Sequence, residues 1–145
     1  MKSIQLEVES IQISIYCEII INLLKKHNEL SLIKSLVFAY LIRKGKFMPN
    51  KIYNANNTKD IVCKCISLLA GDYEEFCNSI QYIIKSIYLL IGMEIVSISD
   101  NLLVYTKNMK LSKITYNEDS FMEKAVENSK NMTDRQFLKE VIQNV

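Results

Sequence analysis

The sequence has no tryptophan, one histidine, one proline and three glycines. Each scarcity closes off a class of chemistry. The glycines, Gly45, Gly71 and Gly92, lie too far apart for a GxxxxGK[ST] phosphate loop or a GxGxxG turn, which need several within one short segment. With His27 as the one histidine, a zinc site lacks ligands, and Cys63 and Cys65 are closer together than the spacing of a zinc knuckle. His27 follows Lys25 and Lys26 at a helix end and reads as an exposed terminal side chain favoured by the helix dipole. No acid stands close in sequence on the same helix turn to orient its ring as a catalytic base. Cys17 and Cys77 fall in helical apolar patterns, as small buried hydrophobes do. The longest apolar runs are broken by Glu18 and Asn22, or by Lys85 and Gly92, so none reaches the roughly 20 residues of a membrane span. The N-terminus lacks a secretory leader pattern. A reduced, cytoplasmic protein without metal, cofactor, membrane association or enzymatic activity is expected.

What is present is apolar and helical. Hydrophobic residues make up 49% of 145 positions, enough for one domain with a real core. The strongest segment is 72–106. Asp72 and Glu75 form a capping-box-like start. Tyr73, Phe76, Cys77, Ile80, Ile83, Ile84, Ile87 and Ile91 follow at three- and four-residue steps, predicting a helix with one buried face. Gly92 stands where a left-handed cap would close it. Residues 93–98 and 102–106 read as strands around the turn-forming trio Ser99, Asp100 and Asn101.

The rest of the chain supports the same class. Residues 1–9 alternate weakly (Ile4, Leu6, Val8) and suggest a short edge strand. Helices are expected over 10–26, 31–44 with Gly45 as its stop, and 57–70 with Gly71 as its stop. The second carries Ile33, Leu36, Val37, Tyr40 and Leu41 as its stripe. Residues 46–57, with Pro49 and four asparagines, read as an exposed loop. After a connector over 107–119, Ser120 to Glu123 and Thr133 to Gln136 each match a capping box and open two C-terminal helices. The expected fold is mainly α, a single winged-helix-like domain over 1–145 with a two-stranded β-hairpin and C-terminal helices.

Charge separates along the chain although the net value is only +2. Arg43, Lys44, Lys46, Lys51, Lys59 and Lys64 face Asp60 alone, whereas Asp72, Glu74, Glu75, Glu94 and Asp100 face only Lys85. The basic segment is the candidate for weak, salt-sensitive DNA contact, though it lacks the interleaved aromatics of specific readout. Glu74 and Glu75 diverge by about 100° on a helix, so they do not flank one substrate atom and read as dipole-favoured first-turn acids. Tyr73, Tyr82 and Tyr88 resemble a base-stacking platform, but Tyr73 falls on the apolar stripe and core packing is the expected role. Glu74, Glu75 and the apolar residues Phe137, Leu138, Val141 and Ile142 are the candidate partner contacts, since the last helix must dock on the core or on another protein.

The order of elements resembles the middle components of bacterial ABC three-component systems, the group containing the small subunit of Lamassu-type antiphage defence. The likeness rests on an N-terminal helix, the hydrophobic run from Leu32 to Leu41, a loop with Pro49, a long helix entering a hairpin, and a lysine-bearing connector leading to C-terminal helices. The chain departs from the commoner form in having no Asn-Pro start and Leu41-Ile42-Arg43 in place of a Leu-Pro pair. The resemblance implies a non-catalytic adaptor that joins a structural-maintenance-of-chromosomes-like ATPase to an effector, often a nuclease. The alternative is a DNA-binding winged-helix protein, such as a phage or plasmid transcription regulator or a replication factor.

Overall fold

No glycine or proline interrupts the first 44 residues, and two long helices fill most of them. The computed structural model describes residues 2–45, 58–106, 116 and 118–144. Among these, α1 (Lys2–His27) is followed by β1 (Glu29–Ser31), α2 (Leu32–Lys44), α3 (Thr58–Ile66), a 3-10 turn (Ser67–Leu69), α4 (Tyr73–Gly92), β2 (Val96–Ser99), β3 (Leu102–Tyr105), α5 (Ser120–Ser129) and α6 (Asp134–Asn144). The fold is mainly α and winged-helix-like, with its hairpin and C-terminal helices as expected.

Helix α1 begins eight positions earlier than its predicted start at residue 10, and residues 2–9 are helical rather than an edge strand. The alternation of Ile4, Leu6 and Val8 overlaps a second pattern, Ile4, Val8, Ile11 and Ile15, which has helical spacing. That second pattern prevails because the helix continues without a breaker into the buried stretch from Tyr16 to Leu24. Lys25 and Lys26 occupy the last turn, where the dipole favours them. Asn28, with φ 71°, closes the helix, and its amide donates to the Leu24 carbonyl at 2.7 Å.

The sheet has three strands rather than two, in the order β1-β3-β2, all antiparallel. Leu30 of β1 pairs with Leu103 of β3. Asp100 and Asn101 both adopt positive φ, 51° and 63°, the arrangement of a type I′ two-residue turn. The turn also holds α2 in place, because the Leu32 amide donates to the Asn101 carbonyl at 2.8 Å. Ser31 caps α2, accepting from the Lys34 amide at 3.4 Å, and Gly45 ends it at φ 65°.

Helix α2 is the centre of the molecule. Every residue from Val37 to Ile42 is buried, so it is enclosed on all sides rather than along one stripe; Ile33 and Leu36 of the predicted stripe are only partly covered. Helices α1 and α4 pack on it, and Phe38 meets Phe137 of α6 with ring centres 5.6 Å apart. Helix α3 packs on α5, where Cys65 lies 3.3 Å from the sulfur of Met122. Tyr40 meets Phe76 of α4 edge-on at 5.3 Å.

Several caps differ from expectation for tertiary reasons. Asp72 makes no capping hydrogen bond with its side chain; its carboxylate instead accepts from the Tyr40 hydroxyl at 3.2 Å. Glu75 turns to Lys44. Gly92 belongs to α4, and the left-handed residue is Glu94 at φ 62°, so β2 starts only at Val96. Asp119 rather than Ser120 caps α5, accepting from the Met122 amide at 2.7 Å. The Thr133–Gln136 box forms reciprocally, at 3.1 and 2.9 Å.

Candidate functional site

Helix α4 is apolar over a wider arc than the core can cover. Phe76, Ile83, Ile87 and Leu90 face inward, with Ser86 among them. Tyr73, Cys77, Ile80, Ile84, Tyr88 and Ile91 step along the adjoining flank at helical spacing. Tyr73 is 50% exposed and Tyr88 70%, while Ile80, Ile84 and Ile91 are half-buried. Tyr73 and Cys77 therefore leave the buried stripe to which the sequence pattern assigned them. Exposed Met93 and Ile98 extend the apolar surface from the helix end onto the hairpin.

Little positive charge accompanies this surface. Lys85, the one lysine of α4, pairs with Glu9 of α1. Lys44 pairs with Glu75, which brings a predicted DNA contact and a predicted partner contact together as counter-ions. Glu74 is exposed. Arg43 lies over the Tyr116 ring, 5.1 Å from its centre. Lys64 is exposed on α3, the helix that packs on α5. Lys46 and Lys51 lie outside the described residues, as does the predicted loop; Lys59 lies in α3 with its side chain outside the description.

The predicted contacts on α6 divide by face. Phe137 and Val141 are in the core, whereas Leu138 and Ile142 are 41% and 63% exposed. The first pair docks the helix and the second pair remains available.

His27 is buried, not exposed, with 2% of its surface accessible. Its Nε2 lies 2.8 Å from Glu118 and its Nδ1 lies 2.9 Å from Glu127. Lys130 reinforces the cluster, 3.1 Å from Glu127 and donating to the His27 carbonyl at 2.5 Å. Burial pushes the imidazole pKa down, but hydrogen bonds to Glu118 and Glu127 more than offset this and raise it. For Glu127, burial acts upward and is outweighed by hydrogen bonds from His27 and Lys130, so its pKa falls. Sequence proximity offers no signal for this cluster, since the carboxylates lie 91 and 100 positions from the histidine.

Lys34 is similarly buried and donates to the Met132 carbonyl at 2.6 Å, tying α2 to the turn between α5 and α6. Burial lowers its pKa, partly countered by Asp134.

Both nitrogens of His27 are engaged by carboxylates, leaving neither to take a proton from a nucleophile. Burial raises the thiol pKa of Cys17 and Cys65, opposite to the shift that activates a cysteine. Among the described residues, no group of three His, Cys, Asp or Glu side chains is placed to hold a metal ion. No helix among them is long and apolar enough to cross a membrane. Comparison with protein-family models, curated proteins and solved structures gives no match for this chain.

Proposed function

We propose that this protein is a non-catalytic adaptor that binds other proteins through the outer flank of α4 and the adjoining hairpin. The observation that carries this reading is the run of apolar side chains from Tyr73 to Ile91, continued by Ile98, on a helix whose lysine is already paired with Glu9. A winged-helix-like domain that enters a DNA groove with this helix would set Glu74 and tyrosines against phosphates, whereas exposed aromatic and aliphatic side chains suit a protein surface. Leu138 and Ile142 add a second apolar patch on α6. The resemblance to Lamassu-type middle components supplies the partners: a structural-maintenance-of-chromosomes-like ABC ATPase and a nuclease-type effector in a bacterial antiphage defence complex acting on DNA.

The test is affinity purification of the tagged protein from its native host, followed by mass spectrometry. Stoichiometric recovery of a coiled-coil ATPase and an effector, lost when Ile84 and Tyr88 are changed to aspartate, is the expected outcome. Recovery of the protein alone, binding duplex DNA with a steep salt dependence, would overturn the adaptor reading in favour of a DNA-binding regulator. Charge reversal of Lys46, Lys51 and Lys59 separates the same two readings. Abolished DNA binding by the isolated protein favours a regulator, and an effect seen only in the assembled complex favours the adaptor.

A further inference from the structure

Arg43 sits near the end of α2, where no ion pair holds it among the described side chains. Its side chain is half-buried against Tyr116, and its Nε is shut off from solvent with no hydrogen-bond acceptor. No carboxylate pairs with it among the described residues. The C-terminal dipole of α2 favours a cation here but supplies only partial negative charge. An enclosed Nε–H without an acceptor is unfavourable, while the rest of the half-buried guanidinium stays open to a ligand. That unmet donor is the starting observation for an external anion.

The surroundings of Arg43 are built accordingly. A cleft of about 200 Å³ opens between α1, the end of α2 and the first turns of α4. Gln12, Tyr16, Arg43, Lys44, Asn78 and Ser79 line it, with Val8 and Tyr82 as the apolar wall. The Ser79 hydroxyl donates to the Glu75 carbonyl at 2.9 Å and is also engaged by Tyr16. The remaining donors facing the cleft are the guanidinium, the Lys44 ammonium and the amides of Gln12 and Asn78. Glu75 completes the lining and pairs with Lys44.

We propose that this cleft binds a phosphate monoester, with Arg43 as the anchor and Lys44 exchanged from Glu75 to the ligand. Two full positive charges match a phosphate dianion, whereas a single carboxylate would neutralise only one of them, as Glu75 does now. The cleft is smaller than the roughly 300–1,000 Å³ of sites that enclose drug-sized ligands. A phosphate group fits inside, and the cleft is open enough for the rest of the ligand to extend outward. Free phosphorylated metabolites and the phosphorylated end of a nucleic acid strand share this chemistry. The site stands independently of the adaptor reading and uses none of the α4 flank.

The experiment is isothermal titration of the full chain with inorganic phosphate, a nucleoside 5′-monophosphate, and one single-stranded oligonucleotide with and without a 5′-phosphate. Binding of the phosphate-bearing probes is expected, weakened at least tenfold by Arg43→Gln and several-fold by Asn78→Ala. Glu75→Gln should tighten it several-fold, because the competing carboxylate is removed. Tighter binding of the phosphorylated oligonucleotide than of the mononucleotide would support the site and identify a strand end as its source; the reverse would support it with a metabolite as the source. No heat with millimolar phosphate, or equal binding of the two oligonucleotides, overturns the proposal. Circular dichroism verifies that Arg43→Gln remains folded. Should that variant unfold, Glu75→Gln on the exposed surface decides: unchanged or weaker affinity overturns the assignment.

Discussion

Nδ1 of His27 lies 2.9 Å from Oε2 of Glu127, a side chain 100 positions later. Through this contact, and the 2.8 Å contact from Nε2 to Glu118, the end of α1 is tied to the start and the end of the α5 region. The cluster is polar yet almost wholly enclosed at its centre, with the His27 and Glu118 side chains 1% and 4% exposed.

The cluster makes stability depend on pH in two opposite ways. His27 has a raised pKa in the fold, so its contribution is fully present below its ordinary value of 6.5 and is lost as pH rises through the folded value. Glu127 has a lowered pKa, so its contribution is present above its ordinary value of 4.5 and is lost as pH falls through the folded value. Both act together between pH 4.5 and 6.5. Urea denaturation of wild type and His27→Gln from acid to alkaline pH should show the largest stability gap in that window, about 3–5 kcal/mol for breaking a buried pair. A gap that does not change with pH would refute the assignment.

On α6, substitutions at two positions on different faces should behave differently. Phe137→Ala removes a fully buried ring packed on Phe38 and is expected to cost about 3–5 kcal/mol. Ile142→Ser alters an exposed side chain and should stay within about 0.5 kcal/mol. Thermal and chemical denaturation of the purified variants check both, and a large loss in Ile142→Ser would mean that the helix packs in another orientation.

The hairpin turn offers a gain. Asn101 holds φ 63°, a conformation that glycine adopts at no steric cost. Asn101→Gly should preserve or raise stability by up to about 1 kcal/mol, since Asp-Gly suits a type I′ turn. Asn101→Val should lose roughly 1–2 kcal/mol because a β-branched side chain is strained there. Midpoints of denaturation rank the three proteins.

Where α1 and α4 cross, the contact leaves room only for a small polar side chain. The Ser86 hydroxyl is fully buried, 2.9 Å from the Ile13 carbonyl and 2.7 Å from that of Tyr82. Ser86→Ala should lose about 1 kcal/mol. Ser86→Leu must push the helices apart, at a cost of about 1–3 kcal/mol. Equal stability of the alanine and leucine variants would show that the helices are not in close contact there.

Local signals carried much of the fold into the sequence, and they failed where distant contacts took over. Ser31, Gly45 and the Thr133–Gln136 pair are legible because a cap requires only neighbours within a few positions. Asp72 looks like the same kind of signal, but Tyr40 claims its carboxylate, and no local pattern reveals that. Strand β1 is three residues long, too short for any periodicity, and exists because β3 pairs with it. His27 resembles an exposed helix end in sequence and becomes a buried imidazole only when Glu118 and Glu127 arrive. The α4 flank was half legible: the apolar positions were evident, but which of them the core would leave uncovered depends on how α1 and α2 pack.

The pairing of β1 with β3 also sets an order of events during folding. Leu30 and Leu103 are more than seventy positions apart, so the sheet closes only after a long stretch of chain has been gathered in. Helices α1, α2 and α4 draw on local hydrogen bonds and can form beforehand, as can the β2–β3 hairpin on its tight turn. The Tyr105 amide, which donates to the Asn28 carbonyl at 3.2 Å, joins the two ends of that long closure. Its hydrogen bond requires that closure to have been made, and it acts as a bolt drawn across the two ends.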